Sequence, residues 1–512
     1  MQDIAFKADT LYEALTEVAG LQPEATAIVF DDASITYSEL IKRVDAIAIC
    51  LQNHGIQPGQ SIAAFGQNSP DFVAYYYAAA KIGAVFVPLN FNLTPSEIAY
   101  ILEHCEAQYL FVDKDAKALV TQSPETARYI DRIHPLETPT LGESGNIGTT
   151  LSVNKPDQDL IISYTSGSTG FPKAVVMDHK AQLGAAHALK RFWGLNSGDC
   201  TVVAAPLGFL LGLSTATTVG LLAGMKVVLH RRFHPAEVLE SMTKHNVTIY
   251  NGVPTMYSMM LEYCEQQNKK YDLSGTRALI CSGAPLAEEL RNRFATLFNK
   301  NIQNYYGMTE CYPLIGKYAD DPKPLPDGCV GRLAPDAEIL VVKPDGAECA
   351  VGESGEILVK AASMLKRYHK DPNLTNSSLQ NGWFKSGDLG CVDVNGYVYL
   401  TGRLKDIIIR GGANISPTEV EDVLQRHTAL QDAAVVGVPD NIYGEVPVAF
   451  VVLRSGQSIS SEQLLDYCKQ SLAKFKVPAE IIITESLPQG KTGKIDKAKL
   501  KTIWSERVTS AA

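Results

Sequence analysis

The chain has 512 residues, 46% of them hydrophobic and 20% charged, with a formal net charge of −10; that length suits at least two domains and a large core. The acid surplus argues against a nucleic-acid-binding protein, whose mark would be a basic excess. No run of about 18 apolar residues occurs, so no membrane span is expected, and the acid-bearing start Met1-Gln2-Asp3 lacks the basic-then-apolar order of a signal peptide, so a cytoplasmic location is expected.

Ten cysteines are scattered without a C-x-x-C pair or zinc spacing. Several sit in apolar contexts, such as Ile49-Cys50 and Ile280-Cys281, and read as buried free thiols. The ten histidines are equally dispersed. His230 and His234 flank Arg231-Arg232, which reads as a solvated loop rather than a ligand set.

Strand and helix patterns alternate from the start. The spacing of Leu40, Ile41, Val44, Ile47 and Leu51 predicts a helix over 38–53. A strand is expected over 61–65, a helix over 70–82 and a strand over 85–88. A helix follows over 94–105, opened by a capping box of Thr94 and Glu97, then a strand over 109–112. This alternation is that of α/β layers with largely parallel sheets.

Next comes the most informative segment, Tyr164-Thr165-Ser166-Gly167-Ser168-Thr169-Gly170-Phe171-Pro172-Lys173. Apolar runs over 160–162 and 174–177 frame it as a loop between two strands. Backbone N–H groups and hydroxyls in so small a volume suit a polyphosphate, and glycine lets the backbone come close. A Gly/Ser-rich hairpin turn is the plain alternative. A Walker A loop is excluded, because its lysine follows its last glycine directly and a helix follows that.

A short strand over 302–305 leads into Tyr305-Tyr306-Gly307-Met308-Thr309-Glu310. A hydroxyl beside a carboxylate at a strand end is either a Mg²⁺ position or a surface feature. From about 330 to 400 short alternating strands and Asp-Gly or Asn-Gly turns indicate a small antiparallel barrel or meander. Within it Gly387-Asp388 offers a carboxylate to vicinal hydroxyls or merely stabilises its own turn. Gly402-Arg403 offers a guanidinium to ribose or phosphate, or a surface ion pair. The pattern restarts after Lys405-Asp406, with a helix over 419–427, strands over 432–438 and 449–453, a helix over 461–472 and a strand over 480–484. Gly490-Lys491-Thr492-Gly493-Lys494 closes the set as a basic glycine-rich loop, with Lys494 either a mobile cation or a solvated side chain.

Taken together, in this order and spacing, the segments 164–173, 305–310, 382–388, 402–421 and 490–494 resemble the adenylate-forming superfamily. That superfamily contains acyl-CoA synthetases, adenylation domains and beetle luciferases. The resemblance runs from about residue 10 to 500 and looks most like the AMP-dependent acyl-CoA synthetase branch. It implies an α/β fold: a large N-terminal domain over 1–403, built of two αβ-layered sheets plus a small β-barrel. A small mobile α+β C-terminal domain over 404–512 would carry the catalytic lysine. It implies ATP, Mg²⁺ and coenzyme A, or the phosphopantetheine of a carrier protein.

Carried onto this chain, Thr165, Ser166, Gly167, Ser168, Thr169, Gly170 and Lys173 would cradle the β- and γ-phosphates. Thr309 would touch phosphate and Glu310 would bind Mg²⁺. Ser282, Gly283, Ala284, Pro285, Asn304, Tyr305, Tyr306 and Gly307 would flank the adenine. Asp388 and Arg403 would hold the ribose, Lys405 would be the hinge, and Lys494 would bridge the substrate carboxylate and the α-phosphate region. Gly411, Gly412 and Ala413 would line the coenzyme A channel after rotation of the C-terminal domain.

For the acid, the resemblance implies a wall of Phe209, Tyr250, Gly252, Ala284, Gly307, Met308, Leu314 and Ile315, suiting an aryl or medium-chain aliphatic acid. Where many CoA-ligase relatives have a histidine, this chain reads Pro206-Leu207-Gly208-Phe209, so no imidazole role is expected there. No acid lies between Asp199 and Glu237 to pair an α-ammonium, and no Lys or Arg lies between Met256 and Glu265 or between Thr309 and Gly316 to pair a second carboxylate. Two alternatives stand beside CoA ligation: an acyl-AMP ligase that loads an acyl carrier protein, and a non-catalytic nucleotide-binding protein. Oligomeric state is not legible.

Overall fold

Helices that are apolar all round need protein on every side, and the helix Pro70–Ile82 buries eleven of its 13 residues. It lies with the helix His179–Trp193 in one large core that also takes Phe86, Ile161 and Val175 from one sheet and Ile28, Val227 and Ile280 from another. The two sheets therefore face each other across a shared helical layer. The computed structural model describes residues 6–139, 155–165, 172–490 and 494–511.

The first sheet has seven strands, in the order Arg367–Tyr368, Lys173–Asp178, Asp159–Thr165, Val85–Asn90, Ser61–Gly66, Tyr109–Val112 and Ile133–Pro135. Its centre is parallel, and Lys173–Asp178 is antiparallel to Asp159–Thr165. The helix Pro95–His104 covers its outer face with Ile98, Ile101 and Leu102. The Thr94 N–H donates to the Glu97 carboxylate at 2.8 Å, which fixes the start of that helix.

The second sheet has ten strands and runs in parallel through Ala278–Cys281, Ile249–Gly252, Cys200–Val203, Lys226–Leu229 and Thr26–Phe30. Its outer face packs on the helices Pro235–Lys244, Pro254–Gln267 and Glu288–Phe298. The strand expected over 302–305 extends to Met308, because it pairs antiparallel with Cys311–Gly316 through a hairpin. A five-stranded antiparallel sheet follows, built on Gly355–Lys360 and Trp383–Val392. Its last strand is Val398–Arg403, and Gly396 takes φ 78° in the turn that precedes it.

Residues from Ile408 onward make two clusters of their own around the hairpin Leu430–Asp440 and Gly444–Leu453. The segment 230–234 is the solvated loop expected, with Arg231, Arg232 and His234 exposed, and two of its side chains are tethered. His230 bonds the Ser241 hydroxyl at 2.8 Å, and Arg231 pairs with Asp31 at 2.6 Å and lies over the Phe30 ring. No group of three potential metal ligands occurs there or elsewhere among the described residues. All ten cysteines are free. Among the described residues no helix is long and apolar enough to cross a membrane.

Candidate active site

The strands Asp159–Thr165 and Lys173–Asp178 form a hairpin in which Thr165 stands opposite Lys173. Ser166, Gly167, Ser168, Thr169 and Gly170, the heart of the expected phosphate loop, lie outside the described residues. What borders them is defined. The two-residue strand Arg367–Tyr368 pairs with the far side of Lys173–Asp178, with Tyr368 opposite Val175. The Lys173 ammonium lies 5.5 Å above the Tyr368 ring, and the Tyr368 hydroxyl donates to Glu310 Oε1 at 3.0 Å. Burial, reinforced by the Glu310 carboxylate, pushes the Tyr368 phenol well above its ordinary pKa, so it remains a donor.

Glu310 and Thr309 make the tight turn between Ile302–Met308 and Cys311–Gly316, since Met308 pairs with Cys311. The position suits Mg²⁺. No ion pair with a Lys or Arg uses up the Glu310 carboxylate among the described residues, and one carboxylate with phosphate oxygens and water is what Mg²⁺ takes. An all-protein cage does not fit, for want of further ligands among the described residues.

At the nucleoside end, Asp388 is only 5% exposed. Arg403 stands opposite it in register and bonds Oδ1 through Nε at 2.9 Å. The Tyr306 hydroxyl donates to Oδ2, and the Asp388 N–H donates to Ser386 Oγ at 3.0 Å. Burial first, then the Asp388 charge, holds the Tyr306 phenol protonated. Cys281 pairs with Asn304 in the parallel ladder. Ser282, Gly283, Ala284 and Pro285 thus leave the sheet beside Asn304, Tyr305, Tyr306 and Gly307, and Gly283 turns there with φ 85°. Strand ends of this kind are where parallel α/β sheets bind ligands.

Lys494 reaches the same place. Its carbonyl accepts from Gly490 at 2.7 Å across a loop whose tip, 491–493, lies outside the described residues. Its ammonium is within electrostatic reach of Arg403, Asp388, Glu310 and Lys405. Lys494 is exposed as a residue, yet protein crowds its ammonium. Burial lowers its pKa from 10.5, Arg403 lowers it further, and Asp388 and Glu310 act in opposition. The downward direction stands because Arg403 pushes the same way as desolvation.

Lys405 sits in the single turn Leu404–Asp406, exposed, between the five-stranded sheet and the C-terminal clusters. Gly411 and Gly412 form a two-residue hairpin turn with φ of 57° and 87°, as a primed turn demands. The Gly411 N–H donates to the Tyr443 carbonyl at 2.8 Å. Among the described residues no hydrogen bond brings Gly411, Gly412 or Ala413 to Asp388, Glu310 or Lys494.

The expected acid wall is only partly assembled. Asn68, 1% exposed, pins the loop before Phe209. Its amide donates to Ala205 and His230 carbonyls at 3.0 Å, and its oxygen accepts from Leu207 at 2.8 Å. Phe209 and Met308 are partly exposed, whereas Leu314 and Ile315 are enclosed in the large core. Tyr250 lies elsewhere. It packs edge-on against Tyr257 in the outer cluster, on the opposite sheet face from Ile249. Strand alternation puts Asn251, not Tyr250, on the inner face.

Known proteins resemble this chain over nearly its whole length. The family model described as AMP-binding enzyme matches residues 15–369, and the AMP-binding enzyme C-terminal domain matches 419–494. A feruloyl-CoA synthase of Amycolatopsis sp is 34% identical, aligned over 94% of this chain and 96% of its own. A 2-succinylbenzoate–CoA ligase of Bacillus subtilis is 33% identical over 95% and 97%. The crystal structure of ATP-bound MatB from Rhodopseudomonas palustris superposes with a TM-score of 0.89 at 28% identity, over 97% of this chain and 99% of that one. Matched by these models and relatives over nearly its whole length, the chain belongs to the AMP-binding, adenylate-forming enzymes, in their acyl-CoA synthetase and ligase branch.

Proposed function

We propose that the chain activates an aryl or medium-chain aliphatic carboxylic acid with ATP and passes the acyl group to a pantetheine thiol, that of coenzyme A. It is an AMP-forming acid–thiol ligase. The observation that carries the reading is Lys494 held within reach of Asp388 and Glu310. In our reading this cation from the C-terminal part works beside the ribose carboxylate and the metal carboxylate. Mg²⁺, when bound at Glu310, supplies charge neutralisation for the phosphates.

The substrate carboxylate attacks the α-phosphorus, and the bond to pyrophosphate breaks. No general base is needed, since the nucleophile is already ionised. Two anions must meet, so fixed cations and donors carry the catalysis. In our reading Thr165, Lys173 and the loop between them hold the departing phosphates with Thr309. Asp388 and Arg403 hold the ribose. Ser282 to Pro285 and Asn304 to Gly307 flank the base.

We divide the chain into 1–403 and 404–512 at Lys405, a division that the separate C-terminal clusters support. Rotation there would exchange Lys494 for the turn Gly411, Gly412 and Ala413, whose lack of side chains leaves a narrow passage for pantetheine. A carrier-protein acceptor shares that thiol. Free cysteines throughout the chain suit a reducing cytoplasm. The test is acid-dependent exchange of pyrophosphate into ATP over a panel of acids, followed by mass spectrometry of the product with coenzyme A and with a holo-carrier protein. Absence of exchange with every acid overturns the reading.

Two finer outcomes follow from the geometry. Tyr368→Phe removes the one side-chain donor to Glu310 among the described residues while keeping the ring beneath Lys173. About 1 kcal/mol of orientation is lost, so the Mg²⁺ concentration for half-maximal exchange should rise by roughly fivefold; an unchanged Mg²⁺ curve removes Tyr368 from the site. The second outcome concerns pH. Lys494 must be protonated to act, and its pKa lies below the ordinary 10.5. Exchange should therefore fall as pH rises through that lowered value. In Lys494→Arg the residual activity should lose this basic limb, because guanidinium stays charged. A basic limb shared by both enzymes assigns it to another group.

A further inference from the structure

The ladder between Asp159–Thr165 and Lys173–Asp178 ends at the pair Thr165 and Lys173, and the pair before it is Tyr164 and Ala174. His369 continues the edge strand beyond Tyr368, and its N–H donates to the Ala174 carbonyl at 2.8 Å. Tyr164, Ala174 and His369 thus make one rung across three strands. The next rung carries Thr165 and Lys173. Tyr164 and Ala174 lie in the outer cluster with Ile98 and Leu102 of the helix Pro95–His104.

His104, the last residue of that helix, closes the rung from outside. Its Nδ1 lies 2.8 Å from the Tyr164 hydroxyl, and its ring meets that of His369 edge-on with centroids 5.4 Å apart. Tyr100, one turn earlier, stacks on it at 5.6 Å. Burial pushes the Tyr164 phenol far above its ordinary pKa. Burial first, then the Lys370 ammonium, lowers that of His104. At neutral pH the phenol therefore keeps its proton and donates it, and the neutral imidazole accepts at Nδ1. Strand alternation turns Tyr164 away from the face of Thr165, so His104 acts on the site through the backbone and not by contact.

We propose that His104 is a positioning residue for ATP: by holding the Tyr164 hydroxyl and backing His369, it fixes the strand ends from which Thr165 and Lys173 reach the β- and γ-phosphates. The proposal rests on the phosphate roles given to Thr165 and Lys173 above, and adds the side chain that sets them. It is specific to the triphosphate, because the rung adjoins the phosphate end and not Asp388 or Arg403. A tie that merely fastens the helix to the sheet would weaken every ligand alike.

The test is calorimetric binding of adenosine 5′-(β,γ-imido)triphosphate with Mg²⁺, and of AMP, to the whole chain and its variants. Tyr164→Phe removes the hydroxyl and keeps the ring; His104→Leu removes the acceptor. Each should weaken the triphosphate about fivefold, the effect of one hydrogen bond, and leave AMP unchanged. The double variant should bind no worse than the weaker single one, since all three lose the same interaction. His104→Asn, whose side-chain oxygen can stand where Nδ1 does, should restore most of the loss. In pyrophosphate exchange the loss should appear in the KM for ATP, while thioester formation from supplied acyl-AMP is unaltered. His104→Leu leaves a buried hydroxyl unpaired and should melt lower, whereas Tyr164→Phe should not, so a loss common to both is separate from stability. Equal weakening of both nucleotides, or an unweakened triphosphate in Tyr164→Phe, overturns the proposal and leaves His104 a structural tie. A wild-type enzyme that binds neither nucleotide instead overturns the adenylation reading, and this proposal with it.

Discussion

Lys494→Ala should lower acyl-AMP formation by about 10²–10³, the usual effect of removing one stabiliser of transition-state charge, or ~3–4 kcal/mol. The structure explains why so distant a residue matters. Lys494 comes from the C-terminal part, yet its ammonium is within electrostatic reach of Arg403, Asp388 and Glu310. In the proposed reaction an ammonium there would meet the acid carboxylate and the α-phosphate as they approach. Its pKa is lowered by burial and by Arg403, so its surroundings hold the charge at some expense, and sharing it with an anion would relieve that. Thioester formation from supplied acyl-AMP should largely survive, because the carboxylate–phosphate repulsion has already been overcome. The two halves are read separately: pyrophosphate exchange for the first, and consumption of coenzyme A with synthetic acyl-AMP for the second. Equal loss in both would sink the two-conformation scheme. Normal exchange in the variant would remove Lys494 from the chemistry.

Most of the layered fold could be read from periodicity. The helix Pro70–Ile82 and the strands Tyr109–Val112 and Glu480–Thr484 lie where the pattern put them, because each is a compact apolar run. The strand Ile302–Met308 was cut short at Tyr305, since Tyr-Gly-Met carries little strand signal and only pairing with Cys311–Gly316 extends it. The π-helix Leu211–Thr218 was not legible. Threonine and glycine are weak helix formers, and tertiary packing against the sheet decides its winding.

At the site, Glu310, Asp388, Arg403 and Lys494 came from motif order, and the structure brings their side chains into one region. Tyr368 was missed. It is a lone tyrosine 58 residues beyond its partner Glu310, and only the strand pairing of Arg367–Tyr368 with Lys173–Asp178 puts it there. Ile249, Tyr250 and Asn251 alternate between faces, and Tyr250, expected in the acid wall, packs against Tyr257 in the outer cluster, away from the face of Ile249.

Asp388→Ala should reduce kcat/KM for ATP by about 10² or more, with two charge-assisted hydrogen bonds to the ribose lost at roughly 1.5–3 kcal/mol each. The argument starts from burial. A carboxylate 5% exposed is stable only because the Arg403 Nε–H and the Tyr306 hydroxyl compensate it. Arg403 and Tyr306 occupy one donor direction on each oxygen, and the remaining lone pairs can accept from two vicinal hydroxyls. Substitution also leaves the Tyr306 hydroxyl without its acceptor, so a fall in melting temperature is expected alongside. Stability alone must not be mistaken for ribose recognition, and the substrate supplies the control. With 2′,3′-dideoxy-ATP the wild-type enzyme should lose most of what the substitution costs, while Asp388→Ala should scarcely distinguish the two nucleotides. If the variant discriminates between them as strongly as the wild type, Asp388 holds its own sheet together and does not read the ribose. Arg403 refines the same test. Half of its side chain is exposed, so Arg403→Lys should be folded and keep a positive charge beside Asp388. It loses the planar geometry that aligns Nε with Oδ1. A loss in ATP affinity there, with discrimination against the dideoxy nucleotide retained, separates the guanidinium's positioning of Asp388 from the carboxylate's own contact with the sugar.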